Sequence, residues 1–146
     1  MNTEPRKRHP SGLFDAHAKR AFVSAQQEAE ERGGKFLVSG LVLHMAAKAE
    51  DDFAARLLDA MGCDLSRLDQ AVDAEWSARS PYMQDRPATL VNKAFNAVAS
   101  EAQPDTELQL EALLVRMLSY PDSMASRVAA RLGVEPHVLA QRLTEL

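Results

Sequence analysis

The side chains of this sequence that could do chemistry are few, and they stand apart. His9, His17, His44 and His137 include no pair four residues apart, so a helical zinc pair is not formed. Cys63 is the only cysteine; it has no Cys-x-x-C companion and can close no internal disulfide. Gly34-Lys35 has the outline of the end of a phosphate loop. That loop needs glycine where Ala29 stands, and a magnesium-reaching hydroxyl where Phe36 stands. Ser39 lacks the flanking glycines of a nucleophile elbow. No catalytic constellation, metal set or cofactor motif emerges, and the expectation is a protein that does not catalyse. The rival reading is an enzyme whose site, built around His44 or Cys63, follows no recognised motif.

Composition narrows what such a protein could bind. The 146 residues carry a formal charge of -4, with 46% hydrophobic and 26% charged residues, the balance of a globular chain with a core. An acidic chain has no general attraction to phosphate backbones or anionic lipid, so nucleic acid and membrane surfaces are not the expected partners. Arg6, Lys7 and Arg8 are followed by no apolar run, and no window approaches the length of a membrane span. A cytoplasmic location is the expectation. Residues 1–13, rich in proline and charge, read as a flexible arm.

The elements behind that arm repeat. Gly133 lies 71 positions after Gly62, and at that offset Phe36–Val72 aligns without a gap on Glu107–Leu143. Leu37 falls on Leu108, Val42 on Leu113, Leu57 on Val128, Met61 on Leu132 and Leu68 on Leu139, so the matches are core positions and the turn glycine. Apolar residues recur at helical steps in each copy, with Asp15, Ser39, Asp51 or Asp52, Thr106 and Asp122 as caps and Gly33, Gly62 and Gly133 as stops. The expected fold is all-α: two pseudo-symmetric four-helix repeats packed as one domain. Repeat one spans about 14–73, a proline-bearing connector about 74–87, and repeat two about 88–146.

Within repeat two, residues 125–143 have the outline of a DNA-binding helix-turn-helix. Its second helix, however, offers Glu135, His137, Gln141 and Glu145 with Arg142 as its basic residue, and the same outline recurs around Gly62. A DNA-binding regulator is therefore the alternative, and packing of a repeated unit the preferred reading.

The whole order resembles the N-terminal domain of the Clp-type unfoldases, the ClpA and ClpC ATPases. Ala25-Gln26-Gln27-Glu28-Ala29 resembles that family's Ala-Gln-Glu-Glu-Ala. Ala54-Ala55-Arg56-Leu57-Leu58 through Met61-Gly62, and Met124-Ala125-Ser126-Arg127-Val128 through Leu132-Gly133, resemble its Ala-Ala-Lys/Arg-x-Leu through Leu-Gly. The family's Gly-Thr-Glu-His becomes Val38-Ser39-Gly40-Leu41 in repeat one and Gln109-Leu110-Glu111-Ala112 in repeat two. The resemblance implies that this glutamate binds phosphorylated arginine in the ClpC branch; Gly40 has lost that carboxylate and Glu111 has kept it. It further implies a non-catalytic module that docks substrates, adaptors or other Clp components. No Walker motif lies within these residues, and a free-standing adaptor or decoy is the expectation. The partner is expected at the junction of the repeats, with Trp76, Tyr82 and Met83 as anchors on the connector and Glu111 offering a carboxylate to a basic group.

Overall fold

In the computed structural model, residues 14–34, 38–78, 87–101 and 107–145 are described, without the side chains of 87–90. The expected arm, the expected cap Thr106, and the anchors Tyr82 and Met83 lie outside the described residues. Those described form eight α-helices: α1 (Ala16–Glu31), α2 (Ser39–Ala47), α3 (Asp52–Met61), α4 (Leu65–Ala78), α5 (Pro87–Glu101), α6 (Leu110–Leu118), α7 (Met124–Arg131) and α8 (Pro136–Thr144). Among the described residues, extended pairing is limited to one parallel bridge between Phe14 and Leu108. Moving the starts of α1, α2 and α4 forward by 71 lands on the starts of α5, α6 and α8, and α3 lands one residue ahead of α7.

Local chemistry sets most of these ends. The Asp15 carboxylate accepts the Ala18 N–H and the Asp51 carboxylate the Ala54 N–H, each at 2.8 Å, so α1 and α3 start where sequence places them. Gly62 and Gly133 have φ of +67° and +85°, the left-handed backbone that lets the helix before each one stop and turn. For α7 the cap is Ser123 rather than the expected Asp122: the Ser123 Oγ accepts the Ser126 N–H at 3.1 Å.

Helix α2 sits at the centre. Every residue of it except Met45 is buried, and it packs on α1, α3, α4, α5, α6 and α7. A helix with no polar face needs neighbours on all sides. Ser39, expected to cap this helix, does not: Val38 holds the cap position without a side-chain bond, and the Ser39 Oγ instead accepts the Ala125 N–H of α7 at 3.0 Å. The hydroxyl thus satisfies a helix-end amide in the other half of the chain. Gly40 beside it admits α7 closely, since a Cβ there would stand 2.4 Å from Cγ and 2.6 Å from Sδ of Met124.

Further bonds join the halves. Arg131 Nε donates to Glu75 Oε2 at 2.5 Å, Arg142 Nη1 to the Ala60 carbonyl at 2.7 Å, and the Asp15 N–H to the Leu108 carbonyl at 3.0 Å. The expected connector is also shorter than its sequence suggests. Helix α4 continues through Trp76 to Ala78, because Asp73-Ala74-Glu75-Trp76 holds no helix breaker and buries Glu75 and Trp76 on one side.

Two glycine substitutions separate backbone strain from crowding. At Gly133 a Cβ meets nothing within 4 Å, so Gly133→Val acts through its positive φ alone, at a cost of about 1–2 kcal/mol, and Gly133→Asn costs less. At Gly40 the backbone is helical and Gly40→Ala acts through Met124, with overpacking of about 1–3 kcal/mol. Thermal melts followed by far-ultraviolet dichroism and by Trp76 fluorescence should coincide in Gly133→Val. An early loss of helicity with an unshifted Trp76 transition would show that the halves melt separately.

Candidate functional site

A groove of about 520 Å³ lies between the end of α5, the extended residues 107–109 and the outer side of α6. Helical spacing makes it. Leu110, Leu113, Leu114, Met117 and Leu118 turn one side of α6 into the core, which leaves Ala112, Val115 and Ser119 as a second stripe three and four residues apart. Val98 from α5 and the buried Leu108 complete an apolar floor, and Glu101, Glu107, Glu111 and Arg116 stand around it.

The charges are unequal. Arg116 Nη2 donates to Glu101 Oε2 at 2.5 Å, so the one guanidinium of the groove is taken by one of its three glutamates. Glu107 is exposed and Glu111 half-buried, and among the described residues neither has an ion-pair partner. An apolar floor under an acidic rim suits an extended segment that carries an apolar side chain and a basic one.

The matching position in the first half is covered. Glu111 corresponds at the 71-residue offset to Gly40, and α7 lies along α2 there, with Met124 against the glycine. Helix α3 has no comparable packing on α6.

Of the anchors read from the sequence, Glu111 lies in the groove and Trp76 does not. Trp76 is 8% exposed, its ring over Gly34, where a Cβ would come within 2.8 Å of Cη2. The Arg32 guanidinium lies 5.5 Å from its ring centroid and bonds Glu28 and Asp73 at 2.7 and 2.9 Å. This indole pins α4 against the end of α1. Val98, Ala112 and Val115 carry no mark in the sequence, and Leu108 stands out there only as a repeated core position. The available signal was that α6 carries more apolar positions than one core-facing stripe requires.

His44 and Cys63, the pivots of the enzymatic alternative, are poorly placed for catalysis. His44 is 3% exposed, its Nε2 lies 2.6 Å from Asp69 Oδ1, and its Nδ1 is buried without a hydrogen-bond partner. A carboxylate-oriented histidine is a general-base arrangement, but here no substrate proton has a path to the second nitrogen. Burial pushes the Cys63 thiol above its ordinary pKa, which keeps it protonated and a weak nucleophile. Among the described residues no three metal-capable side chains cluster. In the helix-turn-helix outline, Arg142, the basic residue of the second helix, spends one guanidinium N–H on the Ala60 carbonyl of the first half.

Residues 13–106, the larger part of the chain, match the Clp repeat (R) N-terminal domain family. The matched stretch ends just before Glu107, so the groove residues on α6 are an observation separate from that match. No curated protein matches the chain.

The His44 environment sets a pH dependence. Burial lowers its pKa below the ordinary value of 6.5, opposed by the bond and charge of Asp69 and reinforced by Lys48 and Arg32. The unfolded chain therefore binds a proton more readily than the folded one, and stability falls as pH drops below about 6.5. Asp51 acts in a lower window. Partial burial would raise its pKa, but the Ala54 amide, His17 and Arg20 outweigh that, so its contribution is lost only as the pH falls below the ordinary carboxylate range. His44→Gln should narrow the difference in Tm between pH 7.5 and pH 5.5 relative to the unaltered chain. An unchanged difference would assign the loss to other groups.

Proposed function

The chain belongs to the Clp repeat (R) N-terminal domain family, and from that membership we propose that it is a non-catalytic module that binds a protein or peptide segment through the α5–α6 groove. The observation that carries this reading is the apolar stripe of α6 lying open beneath Glu107 and Glu111, where the matching position of α2 is covered. An extended ligand would set an apolar side chain over Val115 and Ala112 and a basic group near Glu111. Family membership supports a role beside a Clp unfoldase, as an adaptor that delivers substrates or a decoy that withholds them. A cytoplasmic location fits that role. Among the described residues no helix is long and apolar enough to cross a membrane.

The reading is tested in two stages. A peptide selected from an immobilised library is titrated against the unaltered chain, Glu111→Lys and Val115→Asp. Each substitution should weaken binding at least about tenfold, near 1.4 kcal/mol, while thermal melting stays unchanged. Added to a reconstituted Clp unfoldase and protease degrading a tagged substrate, an adaptor speeds degradation and a decoy slows it. Equal peptide affinity in all three proteins would remove the groove as the site, and degradation unaffected at every concentration would remove the Clp role.

A further inference from the structure

We propose that the α5–α6 groove takes α1 of a second copy of this chain, with Val23 seated on Val115 and Lys19 against Glu111. The proposal rests on the groove being the docking surface and names one occupant for it. Among the described residues Val23 is the large apolar side chain left exposed, at 50%. A lone exposed valine is ordinary on a globular protein, and its surroundings are what make this one informative. Lys19 stands one turn before it on the same face of α1, exposed and without an ion-pair partner among the described residues, whereas His17 and Arg20 lie 3.1 and 3.3 Å from Asp51. The outer face of α1 thus displays an apolar group and a free cation, the two groups that an apolar floor under an acidic rim can hold.

The spacing agrees with the chemistry. Glu111 and Val115 are four residues apart on α6, as Lys19 and Val23 are on α1, and four residues rise about 6 Å in either helix. Two such helices laid side by side in the same direction bring both pairs together at once. The register that joins Val23 to Val115 continues through Arg20 beside Ala112, Ser24 beside Arg116 and Gln27 beside Ser119, so no like charges meet between Lys19 and Gln27. Laid in opposite directions, the same valine contact would carry Lys19 away from Glu111, to Ser119 and Arg116. Within its own chain α1 is held by the burial of Ala18, Ala21, Phe22, Ala25 and Ala29, so its outer face is offered only to another molecule.

Every copy carries both surfaces, and the contact joins unlike faces of two copies. One helix face in one groove belongs with the transient interfaces, those below about 1,200 Å², so the association is weak and reversed by dilution. Salt weakens it further, since an exposed pair such as Lys19 and Glu111 is screened within about 3 Å at 1 M. A docked neighbour also closes the groove to peptides, so ligand binding falls as the chain's own concentration rises.

The test is sedimentation velocity on the full chain, from about 10 μM to about 1 mM, where reversible association should appear. Lys19→Glu, Val23→Asp and Glu111→Lys should each weaken it at least about tenfold, with thermal melting unchanged. An equimolar mixture of Lys19→Glu and Glu111→Lys should associate more tightly than either variant alone, because every contact between them again joins opposite charges. A chain that stays monomeric at about 1 mM, or a mixture no tighter than its components, would overturn the proposal. The library-selected peptide separates this failure from failure of the groove itself. At high dilution Lys19→Glu and Val23→Asp should bind that peptide as the unaltered chain does, and Glu111→Lys should not. A monomeric chain with that pattern of peptide binding would overturn the self-contact and leave the groove as a ligand site.

Discussion

The structure depends on the enclosure of α2. Its sequence, Ser39 to Ala47, has no polar side to turn towards water, and a nine-residue helix of this kind is stable only when neighbours cover it all round. Six other helices do so, three from its own half and three from the other. Two small residues make that fit possible. Gly40 removes the Cβ that would strike Met124, and Ser39 supplies a hydroxyl short enough to reach the first turn of α7. Because α7 must approach closely, its start is capped from two directions, by Ser123 within its own half and by Ser39 across the interface.

That close approach uses up the symmetry of the repeat. The helices of the two halves begin at matching positions, yet α7 lies along α2 while α3 leaves α6 largely uncovered. The uncovered side is where Ala112, Val115 and the glutamates form the groove. One packing decision therefore accounts both for the tight centre and for the open site. The first half has Gly40 at the position that closed, and the second has Glu111 where solvent still reaches.

Much of this was legible in the sequence because its causes are local. Asp15 and Asp51 cap by reaching their own third residue, and Gly62 and Gly133 mark turns that favour glycine, so helix ends could be placed without tertiary knowledge. The repeat carried the fold class for the same reason. What failed was non-local. Ser39 has the right chemistry for a cap but serves an amide 86 positions away. Trp76 stands near Pro81 and Pro87, a setting that suggests a loop, whereas burial against Gly34 and Arg32 extends α4 past it. The groove was half-legible: Glu111 could be found from its motif, but the openness beneath it is a difference between two interhelical packings, which no single stretch of sequence encodes.

The Ser39, Gly40 and Met124 contact also makes the two halves non-interchangeable. At the 71-residue offset their counterparts are Leu110, Glu111 and Phe53. Two first halves placed in this arrangement would drive the ring of Phe53 against Gly40, in space shaped for a flexible thioether. Two second halves would press Met124 onto the carboxylate of Glu111 and offer Leu110 where an amide needs a hydroxyl. Neither half can serve as its own partner, so the chain is in effect a heterodimer written end to end. Restoring self-pairing would require several positions to change together, because any one of them altered alone lowers stability before its counterpart can compensate.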